Sequence, residues 1–412
     1  MRYIPRMHAK ALNTTAIAAS AAPGKPVLAL LPIMGVVLIA FLVIGLALPV
    51  LPLHVHDGLG LSTFVVGLVT GSQFGASLIS RVCAGQYSDR SGPKLAVVAG
   101  LLAAALSGAL YLASLGCVRT PSLSVSILLL GRALLGGAES FIITGAVTWG
   151  LAIAGASNAG RVIAWMGMAM FAALALGAPV GTALYSSGGF LAVASATALM
   201  PLVTIVLITP LSAVAPQRGV QIGIWKVARA VWMPGFGSAL SSLGFGALLG
   251  FSSLLAVQRG WSPVWLPFSA FAIALVTARL FFGHLPDKIG GAKVAVGSIF
   301  LEAAGLALIA LAPDRDLAAV GAALTGIGYA LVYPGLGVEA VRRAPPESRG
   351  LGMGAYTVFL DVALGLGTPV LGLIAGWAGL GAVFSASAVA VLAASVIAVR
   401  LTKSASPEES RH

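Results

Sequence analysis

Arg132 and Glu139 stand seven residues apart in one long apolar stretch. On a helix that spacing is two turns, so both side chains leave one face about 10.5 Å apart along the axis. Gly136 lies between them on that face and leaves room for water or cargo. Ionisable groups inside apolar helices are costly and mark ion and proton pathways. Glu139 is therefore the leading proton-carrier candidate. Arg132 can hold an anionic or carbonyl group of a cargo, or neutralise Glu139 when none is bound. A buried structural pair is the plainer alternative. Asp361, near the middle of another apolar stretch with Thr357, Gly365 and Thr368 on its face, is the second candidate for proton or cation chemistry.

Other polar groups fall around these three. Gln73 is a further candidate for a substrate cavity, as are Tyr329 and Tyr333, which share a helical face at i, i+4 ahead of Pro334. Aromatics on a packed helix are more often core. Glu302 reads as peripheral and structural, Glu339 as a solvated surface charge at a helix end. Trp149 and Trp165 read as interfacial anchors. His54-Val55-His56-Asp57, and the pair His284 and Asp287, lack further ligands at metal-site spacing, so no metal is expected. No G-x-x-x-x-G-K-S/T, H-E-x-x-H or convincing Ser/His arrangement occurs, so nucleotide hydrolysis, enzyme chemistry and a cofactor are not expected.

What positions these residues follows from composition. The chain is 58% hydrophobic and 9% charged, with mean hydropathy +1.01, against about 25% charged residues in ordinary soluble proteins. It is an all-α integral membrane protein by this reading. Twelve spans are predicted near 27–50, 63–83, 95–115, 122–150, 161–184, 189–209, 231–257, 263–282, 294–312, 317–339, 350–376 and 381–400. With the N-terminus placed in the cytoplasm, 20 of the 24 Lys and Arg fall on the cytoplasmic side, Arg81 and Arg279 among them, and 3 fall outside. That asymmetry predicts both termini inside. The net charge of +12 then faces anionic lipid and requires no nucleic acid. Cys83 and Cys117, at opposite faces of the membrane, cannot reach disulfide distance.

The chain also repeats. Gly85-Gln86-Tyr87-Ser88-Asp89-Arg90-Ser91-Gly92 returns as Gly283-His284-Leu285-Pro286-Asp287-Lys288-Ile289-Gly290, 198 residues later. Ala173-Leu174-Ala175-Leu176-Gly177-Ala178-Pro179 returns as Ala363-Leu364-Gly365-Leu366-Gly367-Thr368-Pro369, 190 residues later. Two parallel six-helix halves are implied, an architecture of transporters with a site between the halves. The predicted organisation is a cytoplasmic tail (1–26), an N-terminal half (27–209), a cytoplasmic linker (210–230), a C-terminal half (231–400) and a second cytoplasmic tail (401–412). Gly67, Gly71 and Gly75, with Gly246/Gly250 and Gly372/Gly376, form small-residue stripes for close helix packing.

The G-x-x-x-D-R/K-x-G loops after spans two and eight resemble the signature loop of the major facilitator superfamily, and Arg132-Ala133-Leu134-Leu135-Gly136 resembles its R-x-x-x-G element. Arg132 to Ser140 running on to Thr148-Trp149-Gly150, Gly160-Arg161-Val162-Ile163-Ala164-Trp165, and Leu176-Gly177-Ala178-Pro179 are similar to the YhhS-like branch of bacterial facilitator transporters. The resemblance implies the MFS fold, a central cavity, alternating access and a monomer in the inner membrane. It further implies a conformational latch at Gly85, Asp89, Arg90, Gly92 and Lys94, with Gly283, Asp287 and Lys288 as the weaker copy. Gly177/Pro179 and Gly367/Pro369 resemble the antiporter motif, with Ala178 and Thr368 inserted before the prolines. The expected function is proton-coupled export of a small organic molecule: a drug-like compound, sugar or metabolite. Proton symport for uptake is the second reading, and a non-transporting membrane sensor or partner-binding protein the third.

Overall fold

A computed structural model describes residues 26–155, 158–215, 224–344 and 349–404. The expected N-terminal tail up to residue 25, Pro216, Gln217, Arg218 and Gly219 of the expected linker, and the C-terminal tail from 405 lie outside the described residues. In a bilayer every backbone polar group must be satisfied within the protein, which leaves helices for a chain of this pattern. Every regular element among the described residues is helical. The spanning helices are α1 (Pro26–Ala47), α2 (Thr63–Ser91), α3 (Pro93–Leu115) and α4 (Pro121–Ala154). A 50-residue rod, Ala159–Ile208, follows. At 1.5 Å per residue it is far longer than a bilayer core of about 30 Å. It breaks at Gly189, whose φ of 64° and ψ of −162° are open essentially to glycine alone, giving α5 (159–188) and α6 (190–208). The second half comprises α7 (Ile224–Gln258), α8 (Leu266–Phe282), α9 (Gly291–Leu311), α10 (Arg315–Arg343), α11 (Arg349–Ala378) and α12 (Leu380–Ser404).

Sequence signals set the helix ends. Proline occupies the first turn of α3, α4 and α8, where its missing N–H costs nothing. Asp314 caps α10 by accepting a 2.8 Å bond from the Leu317 N–H. Gly92 and Gly290, equivalent in the repeat, turn the chain at φ 97° and 103°. Helix α2 runs to Gly92 and does not stop where apolarity fades near residue 83. Gly85, Asp89 and Arg90 consequently lie on its last turns and not in a loop. In the second copy α8 does end at Gly283, and Asp287 and Lys288 ride a short helix, Leu285–Ile289.

The halves repeat in space as well. Within one half α3 packs on α4, α2 on α4 and α1 on α5; within the other α9 packs on α10, α8 on α10 and α7 on α11. Between halves the joints are α2 with α11 and α8 with α5, again one pair twice. The first joint is backbone against backbone. A Cβ added at Gly71 would lie 2.6 Å from both the Gly365 oxygen and Thr368 Oγ1, and Gly67 is covered by the backbone of Thr368 and Pro369. Thr368 Oγ1 donates to the Gly67 oxygen at 3.0 Å, and Thr63 Oγ1 to the Gly372 oxygen at 2.8 Å. These contacts close the molecule at the end that carries the α1–α2 connection. At the other end Lys94 donates to the carbonyls of Thr209 and Leu211 (2.8 and 2.6 Å), and Trp149 Nε1 to that of Ser212 (3.2 Å). Lys94 therefore neutralises the C-terminus of α6 and is not a free headgroup contact, and Trp149 is buried and not an interfacial anchor.

Candidate functional site

At mid-depth on the α2–α11 joint, Arg81 makes a two-pronged ion pair with Asp361. Nε lies 2.5 Å from Oδ2 and Nη2 3.0 Å from Oδ1. The Asp361 side chain is 1% exposed and that of Arg81 27%. Arg81 is ten residues, or about 15 Å of helix, from the end of α2. The extension of that helix carries this arginine, expected at the cytoplasmic surface, into the protein.

Glu139 does not pair with Arg132. It accepts a 2.6 Å bond from Gln73 Nε2 on α2. Arg132 is buried against the same helix, its Nε donating to the Val69 oxygen at 3.4 Å. The room expected at Gly136 is absent because α2 occupies it: an added Cβ would lie 2.7 Å from the Gln73 carbonyl carbon. A ladder of hydroxyls seals the same contact. Ser77 Oγ donates to the Gly136 oxygen (2.9 Å) and Ser80 Oγ to Ser140 Oγ (3.0 Å). Arg132, Gln73 and Glu139 thus lock α2 to α4, Arg132 and Gln73 buried and Glu139 half-buried.

On α10, Tyr333 reaches this region, its hydroxyl 3.1 Å from Thr357 Oγ1 of α11, while Tyr356 donates to the Tyr333 oxygen at 2.7 Å. Tyr329 is buried in an aromatic stack with Phe245 and Phe271, centroids 5.4 and 6.2 Å away. Glu302 is not peripheral: it is fully buried in the second half, accepting from Ser241 Oγ at 2.6 Å. Glu339 is not solvated either; 3% exposed, it lies 3.5 Å from Arg342 and 4.0 Å from Arg343. Gly177 meets Gly45 of α1 backbone to backbone, and Gly367 meets the Leu243 side chain of α7. Pro179 and Pro369 lie inside their helices. Asp89 is half-buried near the end of α2. His54 stacks on Phe190 at 4.0 Å and His56 donates from Nδ1 to the Leu61 oxygen at 2.8 Å. No group of three or more potential metal ligands occurs among the described residues.

Two parallel six-helix halves joined by an intramembrane ion pair narrow the field of families. The sequence profile of the Major Facilitator Superfamily matches residues 33–285 and 235–412. The chain belongs to the Major Facilitator Superfamily. It is 41% identical over 358 residues to an uncharacterized MFS-type transporter of Salmonella typhimurium, covering 87% of this chain and 92% of that protein. It is 39% identical over 364 residues to the uncharacterized MFS-type transporter YhhS of Escherichia coli, covering 88% and 90%. The solved nucleoside transporter NupG superposes with a TM-score of 0.74 at 15% identity, covering 90% of this chain and 99% of that one. An inward-facing, occupied bacterial homolog of the lysosomal transporter Spinster superposes at 0.71 and 15%, covering 93% and 98%. Those two likenesses speak to the fold alone. This facilitator is a multi-pass membrane transporter and not an enzyme.

Two arginines of the facilitator escaped the reading of its sequence. Charge asymmetry alone puts Arg81 and Arg279 in the cytoplasmic cluster. The structure puts Arg279 on the last turn of α8, half-buried, its guanidinium 4.8 Å over the Phe171 ring of α5. One signal was available: each arginine precedes a repeated glycine, Gly85 or Gly283, by four residues, so the two occupy one place in the duplicated unit.

Proposed function

We propose that this facilitator exports a small organic molecule across the bacterial inner membrane by alternating access, in exchange for protons. The Arg81–Asp361 pair carries the reading, because it bridges the two halves with a charge a proton can cancel. Protonation of Asp361 removes the anion that holds Arg81 and loosens the α2–α11 joint. Glu139, hydrogen-bonded to Gln73 and within electrostatic reach of Arg81, is the companion proton site. Tyr333 lines the space beside the pair; Arg132, Gln73 and Tyr329 support its walls. Asp89 and Arg90, with Gly85, Gly92 and Lys94, form the latch on the opposite face, and Asp287 and Lys288 near Gly283 its weaker counterpart. The resemblance of Gly177/Pro179 on α5 to the antiporter motif supports export, and Ala178 standing before the proline weakens that support; Gly177 itself lets α1 and α5 meet backbone to backbone. Both termini are assigned to the cytoplasm on the charge asymmetry, and the working unit to a monomer. The end of α6 at Ile208 fits an N-terminal half closing near 209, whereas α7 already begins at Ile224, ahead of the 231 expected for the C-terminal half.

Inverted membrane vesicles energised by respiration, with a fluorescent reporter of the pH gradient, test this. A panel of antibiotics, dyes, sugars and amino acids should contain compounds that collapse the gradient in wild type and fail to do so in Asp361→Asn or Glu139→Gln. Silence of the whole panel in wild type would reject proton-coupled export of these classes. Radiolabelled accumulation in whole cells would then establish uptake by symport in its place.

A further inference from the structure

The duplication that places Arg81 on α2 places Arg279 on α8, and the one that places Asp361 on α11 places Phe171 on α5. The α2–α11 and α8–α5 joints are one joint built twice with different contents. In the first, the arginine grips a carboxylate supplied by the chain. In the second, the equivalent arginine finds an aromatic ring, and its Nε makes one long bond, 3.4 Å, to the Ala330 oxygen. Neither Nη of Arg279 has a hydrogen-bond or ion-pair partner among the described residues. Among the described residues the ionisable groups that bear on it are the phenols of Tyr329, Tyr333 and Tyr356, and no carboxylate lies within ion-pair distance. Tyr333 lies within electrostatic range of Arg81 as well as of Arg279. Beside the fork α5 also presents Gly167, where an added Cβ would lie 3.9 Å from Nη1.

A ring face attracts the cation but accepts none of its five N–H donors. A planar fork in an apolar wall matches a carboxylate, and the sister joint displays that match. We infer that Arg279 receives the carboxylate of the cargo, and that the cargo is a small organic acid anion. The incoming carboxylate takes at Arg279 the position that Asp361 takes at Arg81. The inference rests on the transport reading for naming this anion a cargo.

Purified full-length protein in detergent provides the test, by thermal unfolding against matched probes: benzoate with benzamide, butyrate with butyramide, and sulfate as an inorganic anion. At least one carboxylate should stabilise wild type saturably while its amide at ten times the concentration does not. Arg279→Gln should weaken that binding at least tenfold, and Arg279→Lys less. Phe171→Glu supplies the missing carboxylate from within; it should keep the protein folded and abolish binding, and it decides the matter if Arg279→Gln does not fold. Equal binding of acid and amide, equal binding by Arg279→Gln, sulfate binding as well as the carboxylates, or no carboxylate binding would each overturn the assignment. Vesicle transport unchanged in Arg279→Gln would also overturn it and leave transport standing. Carboxylate binding without transport of any compound would reject transport and leave the site standing.

Discussion

Asp361 and Arg81 share their ion pair unequally, the carboxylate being sealed and the arginine side chain partly exposed. Removing a partner from a buried charge costs about 3–5 kcal/mol, because the survivor is stranded without water. Arg81→Ala strands the buried Asp361; Asp361→Asn leaves an arginine that still reaches solvent. Arg81→Ala should therefore lower stability by about 3 kcal/mol, clearly more than Asp361→Asn, in unfolding of the purified protein. Equal losses would show that the pair is not desolvated on one side. Glu139 and Asp361 were legible because a carboxylate in an apolar run is conspicuous. Their partners were not: Arg81 stands 280 residues from Asp361, and Gln73 reaches Glu139 from another helix. Helical spacing put Arg132 and Glu139 on one face correctly, but it carries no information about α2, which fills the space between them.

Helices α2 and α11 meet through glycine, and the positions differ in how much room they leave. A methyl group at Gly71 would strike Gly365 and Thr368, whereas one at Gly75 has nothing within 4 Å. Gly71→Ala should thus push the sealed end open and Gly75→Ala should not. In a variant lacking Cys83 and Cys117, cysteines at Thr63 and Gly376, whose Cβ position lies 3.2 Å from Thr63 Oγ1, report the sealed state by disulfide formation. Gly71→Ala should reduce the cross-linking rate about tenfold, the scale of a 1–3 kcal/mol overpacking cost. No difference between the two variants would remove the packing argument. The number and rough placement of the helices were legible because apolarity and repeat agree. Their ends were less so, since α2 obeys Gly92 rather than its hydropathy, and only Gly189 divides α5 from α6.

The whole molecule is held across its middle by two copies of one joint, while the segment after α6 is pinned to its own half by Lys94 and Trp149. Chain continuity between the halves should be dispensable. Residues 1–219 and 220–412 expressed as separate chains should copurify as a folded complex, and adding Arg81→Ala should weaken their association. Failure of the intact halves to copurify would mean that the linker, not the joints, unites them. The duplication was legible from two short motifs; that its two joints differ in content was not, since offsets align residues without saying what each faces. The α2–α11 contact has one more property. Glycine has no side-chain rotamers to lose on burial, whereas each leucine in its place would forfeit about 0.5–1 kcal/mol of conformational entropy. The glycine stretch of the joint therefore parts and meets with almost no side-chain disorder gained or lost, and the side-chain freedom released on opening is confined to Arg81, Asp361 and the two threonines that bond across it.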